Sequence, residues 1–227
     1  VSAANSVNLT APNTYSGGTF VNGFANNAGL LELSGGAGVV TIPAGGLTIN
    51  DDAIVAMITN AGQIDPANIV TLNGGGQLTL VGANNTLAGL VFNQNGGETT
   101  RPQVSGGTKM TITGDIAAAS TGQHVHANGC PYINVVVDLN GTDTHDITVS
   151  AIPSGNHPNN GLNWDKQNDA LRINSVIQNG GFTKKGNGVL YHTPSSTFAG
   201  QLTIEEGNYR VNTANNISAN GPLGNSA

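Results

Sequence analysis

One arrangement occurs three times in this chain. A short apolar strand is followed by a polar turn. Then come Thr, an apolar residue, a small residue and Gly, and a second strand begins. The copies centre on Thr14-Tyr-Ser-Gly17, Thr86-Leu-Ala-Gly89 and Thr197-Phe-Ala-Gly200, at uneven spacing, and the shared glycine is expected to be left-handed. A strand–turn–strand unit of this size cannot bury its apolar face alone, so a chain built from such units must stack them. Between the copies lie further short stretches that alternate apolar and polar residues, as half-buried strands do. Gly29–Leu33, Gly46–Ile49, Asn68–Leu72, Lys109–Thr113 and Asp146–Val149 are examples. Asn-Gly pairs recur at Asn22, Asn73, Asn95, Asn128, Asn140, Asn160, Asn179, Asn187 and Asn220. Such pairs make hairpin turns or supply left-handed corners between stacked strands. No stretch offers a sustained run of strong helix formers. The residues predict an all-β chain folded as one elongated solenoid domain over residues 1–227. At ~20–25 residues per turn it would have about ten turns, with strands ~4.8 Å apart.

Charge narrows the function. Only 9% of the 227 residues are Asp, Glu, Lys or Arg, and the net charge is −6. Nucleic-acid binding needs clustered Lys and Arg, so no nucleic-acid partner is expected. Lys184-Lys185-Gly186-Asn187-Gly188 is the one basic pair beside closely spaced glycines. It lacks the spacing of a phosphate-binding loop, and no helix follows it. Gly186 and Gly188 are therefore expected to permit a tight corner, with Lys184 and Lys185 on it, at least one of them in water, and Lys184 in particular at a wet position. Cys130 stands alone, so there is no internal disulfide framework. No apolar run is long enough for a membrane span, and no signal peptide opens the chain. A sequence starting at Val1 is expected to be a mature product or an excised segment. Low charge with many Asn, Thr and Gly suits an extracellular or cell-surface bacterial β-protein.

The segment Leu171-Arg-Ile-Asn-Ser-Val-Ile-Gln-Asn-Gly-Gly-Phe-Thr-Lys-Lys-Gly-Asn-Gly-Val-Leu190 is followed by Thr197-Phe-Ala-Gly200 and Thr203-Ile-Glu-Glu-Gly-Asn-Tyr-Arg-Val211. Together they resemble the autotransporter-associated β-strand repeat, whose unit runs I-x-G-x-G-G-L-T-K-x-G-x-G-T-L, then N-T-Y-x-G-x-T-x-V. Asn13-Thr-Tyr-Ser-Gly-Gly-Thr-Phe-Val21 is similar to the second half. Asn220-Gly-Pro-Leu-Gly-Asn-Ser-Ala227 resembles the linker that leads into a further unit. Lys185 and Tyr191-His192 depart from the pattern. The resemblance covers about a third of the chain. It implies a right-handed parallel β-helix from the passenger region of a secreted or surface-tethered bacterial protein.

The stretch Ala117–Asp169 fits the repeat least well, so longer loops or an irregular insertion are expected there. It holds most of the His residues, Cys130 and Trp164. His124 and His126 would share one strand face with Cys130 nearby, and such groups can ligate zinc or copper. No fourth ligand or recognised spacing accompanies them. Asp138, Asp143 and Asp146 place three carboxylates close together, but without a calcium-loop spacing. No resident metal or cofactor is expected. Inverting glycoside hydrolysis needs two facing carboxyls. Asp51-Asp52 is the one adjacent aspartate pair, and the companion motifs of β-helical hydrolases are missing. No Gly-x-Ser-x-Gly elbow is present. Regular Thr-x-Thr rows for an ice-binding face are absent. The expectation is a structural protein, not an enzyme: a stalk or repeat segment of an adhesin or filament that associates end to end. The alternative is a carbohydrate-binding or polysaccharide-degrading module acting on surface glycans through Ala117–Asp169.

Overall fold

The computed structural model describes residues 6–23, 29–95, 101–121, 130–153, 169–214 and 219–225. These residues form strands, turns and bends and contain no helix. In chain order the strands begin with β1 (Ser6–Leu9), β2 (Thr19–Asn22), β3 (Leu30–Leu33), β4 (Leu47–Asn50), β5 (Ile54–Met57), β6 (Ile69–Asn73) and β7 (Gln77–Leu80). Next come β8 (Asn85–Leu87), β9 (Gly89–Gln94), β10 (Gln103–Gly106), β11 (Lys109–Ile112), β12 (Ile116–Ser120), β13 (Tyr132–Ile133) and β14 (Val136–Val149). The last are β15 (Asp169–Ile173), β16 (Ile177–Lys185), β17 (Val189–His192), β18 (Leu202–Ile204), β19 (Asn208–Arg210), β20 (Asn220–Gly221) and β21 (Gly224–Asn225).

These strands make two large parallel sheets. The first runs β1-β3-β5-β7-β10-β13-β15-β17-β19, and the second runs β2-β4-β6-β9-β12-β14-β16-β18. The chain thus visits the sheets in turn, each time pairing with the strand laid down one visit earlier. The pairing is in register, so residues of one kind form columns. Leu31, Val55, Leu78, Val104, Ile133 and Ile173 make one buried column of the first sheet. Leu47, Val70, Leu90, Ile116 and Ile147 make another in the second. Each fully buried aliphatic side chain contributes roughly 1.5–3 kcal/mol. At the ends of these columns the cover is lost: Val7 is 60% exposed and Ile204 50%.

A third, shorter series of pairings closes the gap between the sheets. Ile42 bridges Ile64, β8 pairs β11, β11 pairs the start of β14, and Val137 pairs Ile177. β14 belongs to both series because it bends at Asn140 and Gly141, which have φ of 55° and 74°. β16 bends likewise at Asn179 and Gly180 (φ 54° and 135°). These two Asn-Gly pairs are left-handed corners, not hairpin turns. The described part of Ala117–Asp169 stays within the sheets through β12, β13 and β14. Its extra chain length falls between β12 and β13 and between β14 and β15.

The segment after Ala219 does not run on as a strand of either sheet. β20 and β21 form an antiparallel hairpin folded back on the chain. Ser196 N–H donates to Gly221 O (2.9 Å), Asn225 N–H to Phe198 O (2.8 Å) and Tyr209 O–H to Pro222 O (2.7 Å). The hairpin helps bury Phe198, which packs against Phe182 with ring centroids 5.5 Å apart.

Stacking also orders polar side chains. Asn93 Nδ2 donates to Asn73 Oδ1 (2.9 Å), Asn73 Nδ2 to Asn50 Oδ1 (2.6 Å) and Asn50 Nδ2 to Asn22 Oδ1 (2.7 Å). Amide ladders of this kind polarise along their length and reinforce the register. Asn73 is an interior rung with a partner on each side. Asn73→Ala is therefore expected to cost about 1–2 kcal/mol, read from denaturant midpoints, whereas Asn22→Ala at the ladder's end costs about half as much.

The corner at Lys184-Lys185-Gly186-Asn187-Gly188 corrects one expectation and explains another. Gly186 has φ of 73°, and a Cβ there would lie 2.5 Å from Val149 O. A Cβ on Gly188 would collide with Ser150 O. Both glycines thus serve the tight corner that the sequence predicts. Gly17, Gly89 and Gly200 differ: none is among the left-handed glycines. Lys184 is not at a wet corner. It continues the buried column between Ile147 and Ile204 and is fully buried. Its ammonium donates to the carbonyls of Lys185 (2.7 Å), Gly186 (2.6 Å) and Glu206 (3.1 Å). Strand alternation sends Lys184 inward and Lys185 outward. Lys185 is the solvent-facing one and pairs with Asp146 at 2.9 Å.

Candidate functional site: an arginine–tyrosine ladder

The most concentrated outward-facing chemistry lies on the first sheet. Parallel register aligns Gln77, Gln103, Tyr132, Arg172, Tyr191 and Arg210 in one column. Each sits next to an inward residue, as Arg172 does between the buried Leu171 and Ile173, so alternation turns it outward. Arg101 caps the column from the segment before β10. Its guanidinium lies 4.1 Å from the Tyr132 ring centre, and Arg172 lies over the same ring at 5.5 Å. Tyr191 is likewise placed between Arg172 (5.1 Å) and Arg210 (4.2 Å). The three residues Arg101, Arg172 and Arg210 are all the arginines in the sequence.

The ladder is anchored from inside. Asp169 at the start of β15 is buried and accepts from Arg172 Nε at 2.5 Å and faces Arg210 Nη1 at 3.1 Å. Arg172 Nη1 also donates to Tyr132 Oη at 3.1 Å. The side chains of Arg172 and Arg210 remain 32% and 44% exposed. Among the described residues Arg101 makes no ion pair. Gln103 Nε2 donates to Gln77 Oε1 at 2.7 Å, extending the column as amides.

The metal candidates named above do not come together as a site. His124 and His126 lie outside the described residues, as do Trp164 and the side chain of Asp143. Asp138 is committed elsewhere: it accepts from Lys109 Nζ (2.8 Å), Asn140 N–H (2.9 Å), Gln178 Nε2 (3.1 Å) and Asn179 Nδ2 (3.0 Å). Burial pushes its carboxyl up, but the Lys109 ammonium and these donors outweigh that and hold it below the ordinary carboxylate range. A carboxylate so occupied ties β11, β14 and β16 together. Cys130 is buried, and burial pushes its thiol up to about 12, so it is neither a thiolate nucleophile nor a ready metal ligand at neutral pH. Among the described residues no group of three or more His, Cys, Asp or Glu side chains could hold a metal ion. Asp51 and Asp52 form a turn with φ of 49° and 63°, and Asp52 is buried, so the pair does not face across a cleft.

A serine–histidine contact does occur, and it is structural. His192 Nε2 lies 2.7 Å from Ser196 Oγ, and His192 Nδ1 lies 3.0 Å from Ile173 O. Ser196 Oγ accepts from Ile177 N–H (2.9 Å). A neutral imidazole donating to Ile173 O and accepting from Ser196 satisfies every group. Both residues are fully buried, and His192 stacks on Tyr209. No substrate reaches this serine. Burial pushes the His192 pKa below its ordinary 6.5. The unfolded chain then binds more protons than the folded one below that value, so stability is full above pH 6.5 and falls as pH drops. His192→Phe, which keeps a ring on Tyr209 without titrating, is expected to flatten the decline in melting temperature between pH 7 and 5.

No protein-family model matches the chain, and no curated protein or solved structure matches it. No helix among the described residues is long and apolar enough to cross a membrane.

The arginine–tyrosine column escaped sequence reasoning because its members are unevenly spaced. The step from Tyr132 to Arg172 is 40 residues, yet the step from Ile173 to His192 in the neighbouring column is 19. The signal that could have found it is the placement of every arginine either within or just before an apolar strand.

Proposed function

We propose that this chain is a right-handed parallel β-helix that serves as a stalk or repeat segment of an extracellular bacterial surface protein. The observation that carries the reading is the in-register parallel pairing of both sheets, strand on earlier strand. A chain that leaves one parallel sheet, crosses and returns one strand further on winds right-handed in nearly all proteins. The resemblance of Leu171–Val211 and Asn13–Val21 to the autotransporter-associated β-strand repeat points the same way. A structural role is supported by where the polar groups go. Asp138, Lys184, His192 and the asparagine ladder all tie one strand layer to the next.

The ends favour stacking on further turns. Inward apolar positions that are buried in the middle of each column are half or more exposed at Val7 and Ile204. β1 and β2 end their sheets on one side, as β19 and β18 do on the other. Open strand edges with an apolar core beside them are templates for another strand. End-to-end contact between copies, or further turns of a longer chain, would complete them. Sedimentation of the protein over a concentration series tests this. Association that is lost in Val7→Asp and Ile204→Asp supports it, and a monodisperse monomer at high concentration overturns self-association.

A further inference from the structure

We propose that the β20–β21 hairpin is a releasable plug on the β18–β19 end of the stack, and that this end receives the first turn of a second copy once the hairpin swings away. The inference rests on the end-to-end reading above and adds to it a site, a partner and a control.

The hairpin occupies the place of a strand. Ser196–Phe198 is the last parallel member of the third series. Thr197 N–H donates back to Ile177 O (3.0 Å), so the flanking Ser196 N–H and Phe198 C=O point forward, to where the next turn would lie. The hairpin takes both: Ser196 N–H donates to Gly221 O (2.9 Å), and Asn225 N–H donates to Phe198 O (2.8 Å). The Ser196–Gly221 bridge is antiparallel, whereas a further turn of the solenoid would pair parallel. The hairpin's own outer edge is blunt. Its strands are two residues long, and Pro222 between them has no N–H. A turn stacking here must first displace it.

Displacement is within easy reach. A two-stranded hairpin of this size does not hold together alone in water, so it keeps its form by lying on the body. Gly224 lets it lie there: its φ is 83°, and a Cβ on it would sit 2.5 Å from Phe198 O and 2.6 Å from the Phe198 ring. Tyr209 O–H ties the turn through Pro222 O (2.7 Å). Small terminal elements of this kind open at far lower free energy than core strands.

The first turn of a second copy fits because it carries the opposite ends of the same columns. Val7 heads the column from Leu31 to Ile173, which runs on to His192. Thr19 heads the column from Leu47 to Ile147, which runs through Lys184 to Ile204. Head-to-tail stacking continues both columns and covers Val7 and Ile204, which are 60% and 50% exposed.

The test is sedimentation over a concentration series of the parent, Gly224→Val and Tyr209→Phe, with hydrogen exchange on the same samples. Gly224→Val pushes the hairpin off Phe198, and Tyr209→Phe cuts the tie to Pro222 while keeping the ring. Both should speed exchange at the Ser196 and Asn225 amides and leave β9 and β12 protected. Gly224→Val should associate at a roughly tenfold lower concentration than the parent, because a closed plug lowers apparent affinity by the fraction open. Tyr209→Phe should shift association in the same direction, and it carries the comparison if Gly224→Val unfolds the body. Adding Val7→Asp to either should abolish the gain, which separates end-to-end docking from clumping through an uncovered Phe198. A parent that stays monomeric while the variants associate supports the plug and confines self-association to the opened form. Association in the variants equal to the parent's, or weaker, overturns the plug and leaves the end-to-end reading standing. Absence of association in all of them overturns both. The plug also falls if association survives Val7→Asp, or if neither variant speeds exchange at Ser196 and Asn225.

Discussion

Replacing Lys184 with alanine is expected to lower stability by about 3–5 kcal/mol, one of the largest effects of any single substitution outside the turns. The loss has two parts. The buried aliphatic stem fills the column between Ile147 and Ile204, and alanine leaves a cavity there. The ammonium also satisfies the carbonyls of Lys185, Gly186 and Glu206, which belong to two successive corners. Lys184→Met separates the parts, since it keeps the stem and loses the donors. Its cost is expected to be about half. pH supplies a further signature. Burial pushes the Lys184 pKa down to about 8 from 10.5. Between those values the unfolded chain binds more protons than the folded one, so stability rises with pH from 8 toward 10. Lys184→Met should lack that rise. Denaturant midpoints across this range check both statements. A change of under ~0.5 kcal/mol in Lys184→Ala, as at a wet surface position, would contradict the buried placement.

Gly186→Val is expected to cost still more, over about 4 kcal/mol, and to leave much of the protein unfolded at 37 °C. Its φ of 73° strains a β-branched residue, and its Cβ would press on Val149 O at 2.5 Å. The atoms it would meet are all backbone of Val149, not a flexible side-chain tip that could yield. The next corner stacks above: a Cβ on Gly207 would lie 2.5 Å from both Gly186 O and Gly188 O. Relaxing one corner therefore displaces the other. Gly200→Val serves as the comparison, because Gly200 is not in the left-handed region. It should be the milder of the two, and thermal melts of the pair measure the difference. Equal melting temperatures would contradict the distinction between the corner glycines and those of the Thr-x-x-Gly motif.

Much of the architecture was legible in the sequence because it follows from local rules. Alternation in Leu47–Asn50 or Ile69–Asn73 fixes which side chains point inward whatever the strand pairs with. Glycine and asparagine mark where the backbone must turn left-handed, as at Asn140-Gly141 and Gly186. Other features depend on which strand lies next door. Lys184 reads as a solvated charge until its alternation partner Phe182 is known to be buried and the carbonyls of the next corner close over it. The left-handed expectation for Gly200 arose from a shared motif, and a motif records similar residues without recording φ. The arginine–tyrosine ladder was hidden most fully. It is made by register between strands separated by very different lengths of chain, so no period in the sequence reports it. His124 and His126 fall outside the described residues, while Asp138 reads as a ligand by sequence and acts as a hydrogen-bond hub by position.

The stacking of strands in sequence order is most directly tested by distances along one column. Register places Phe20, Thr48, Thr71, Val91, Ala117, Thr148 and Lys185 on the outer face of the second sheet, one strand apart. A spin label at Lys185, in a Cys130→Ala background, can be paired in turn with labels at Thr71, Thr48 and Phe20. Pulsed electron-spin measurements should give backbone separations of about 19, 24 and 29 Å, rising by one strand spacing at each step. A separation that levels off or shrinks from Thr71 to Phe20, as in a sheet curled back on itself, would contradict the stacked solenoid.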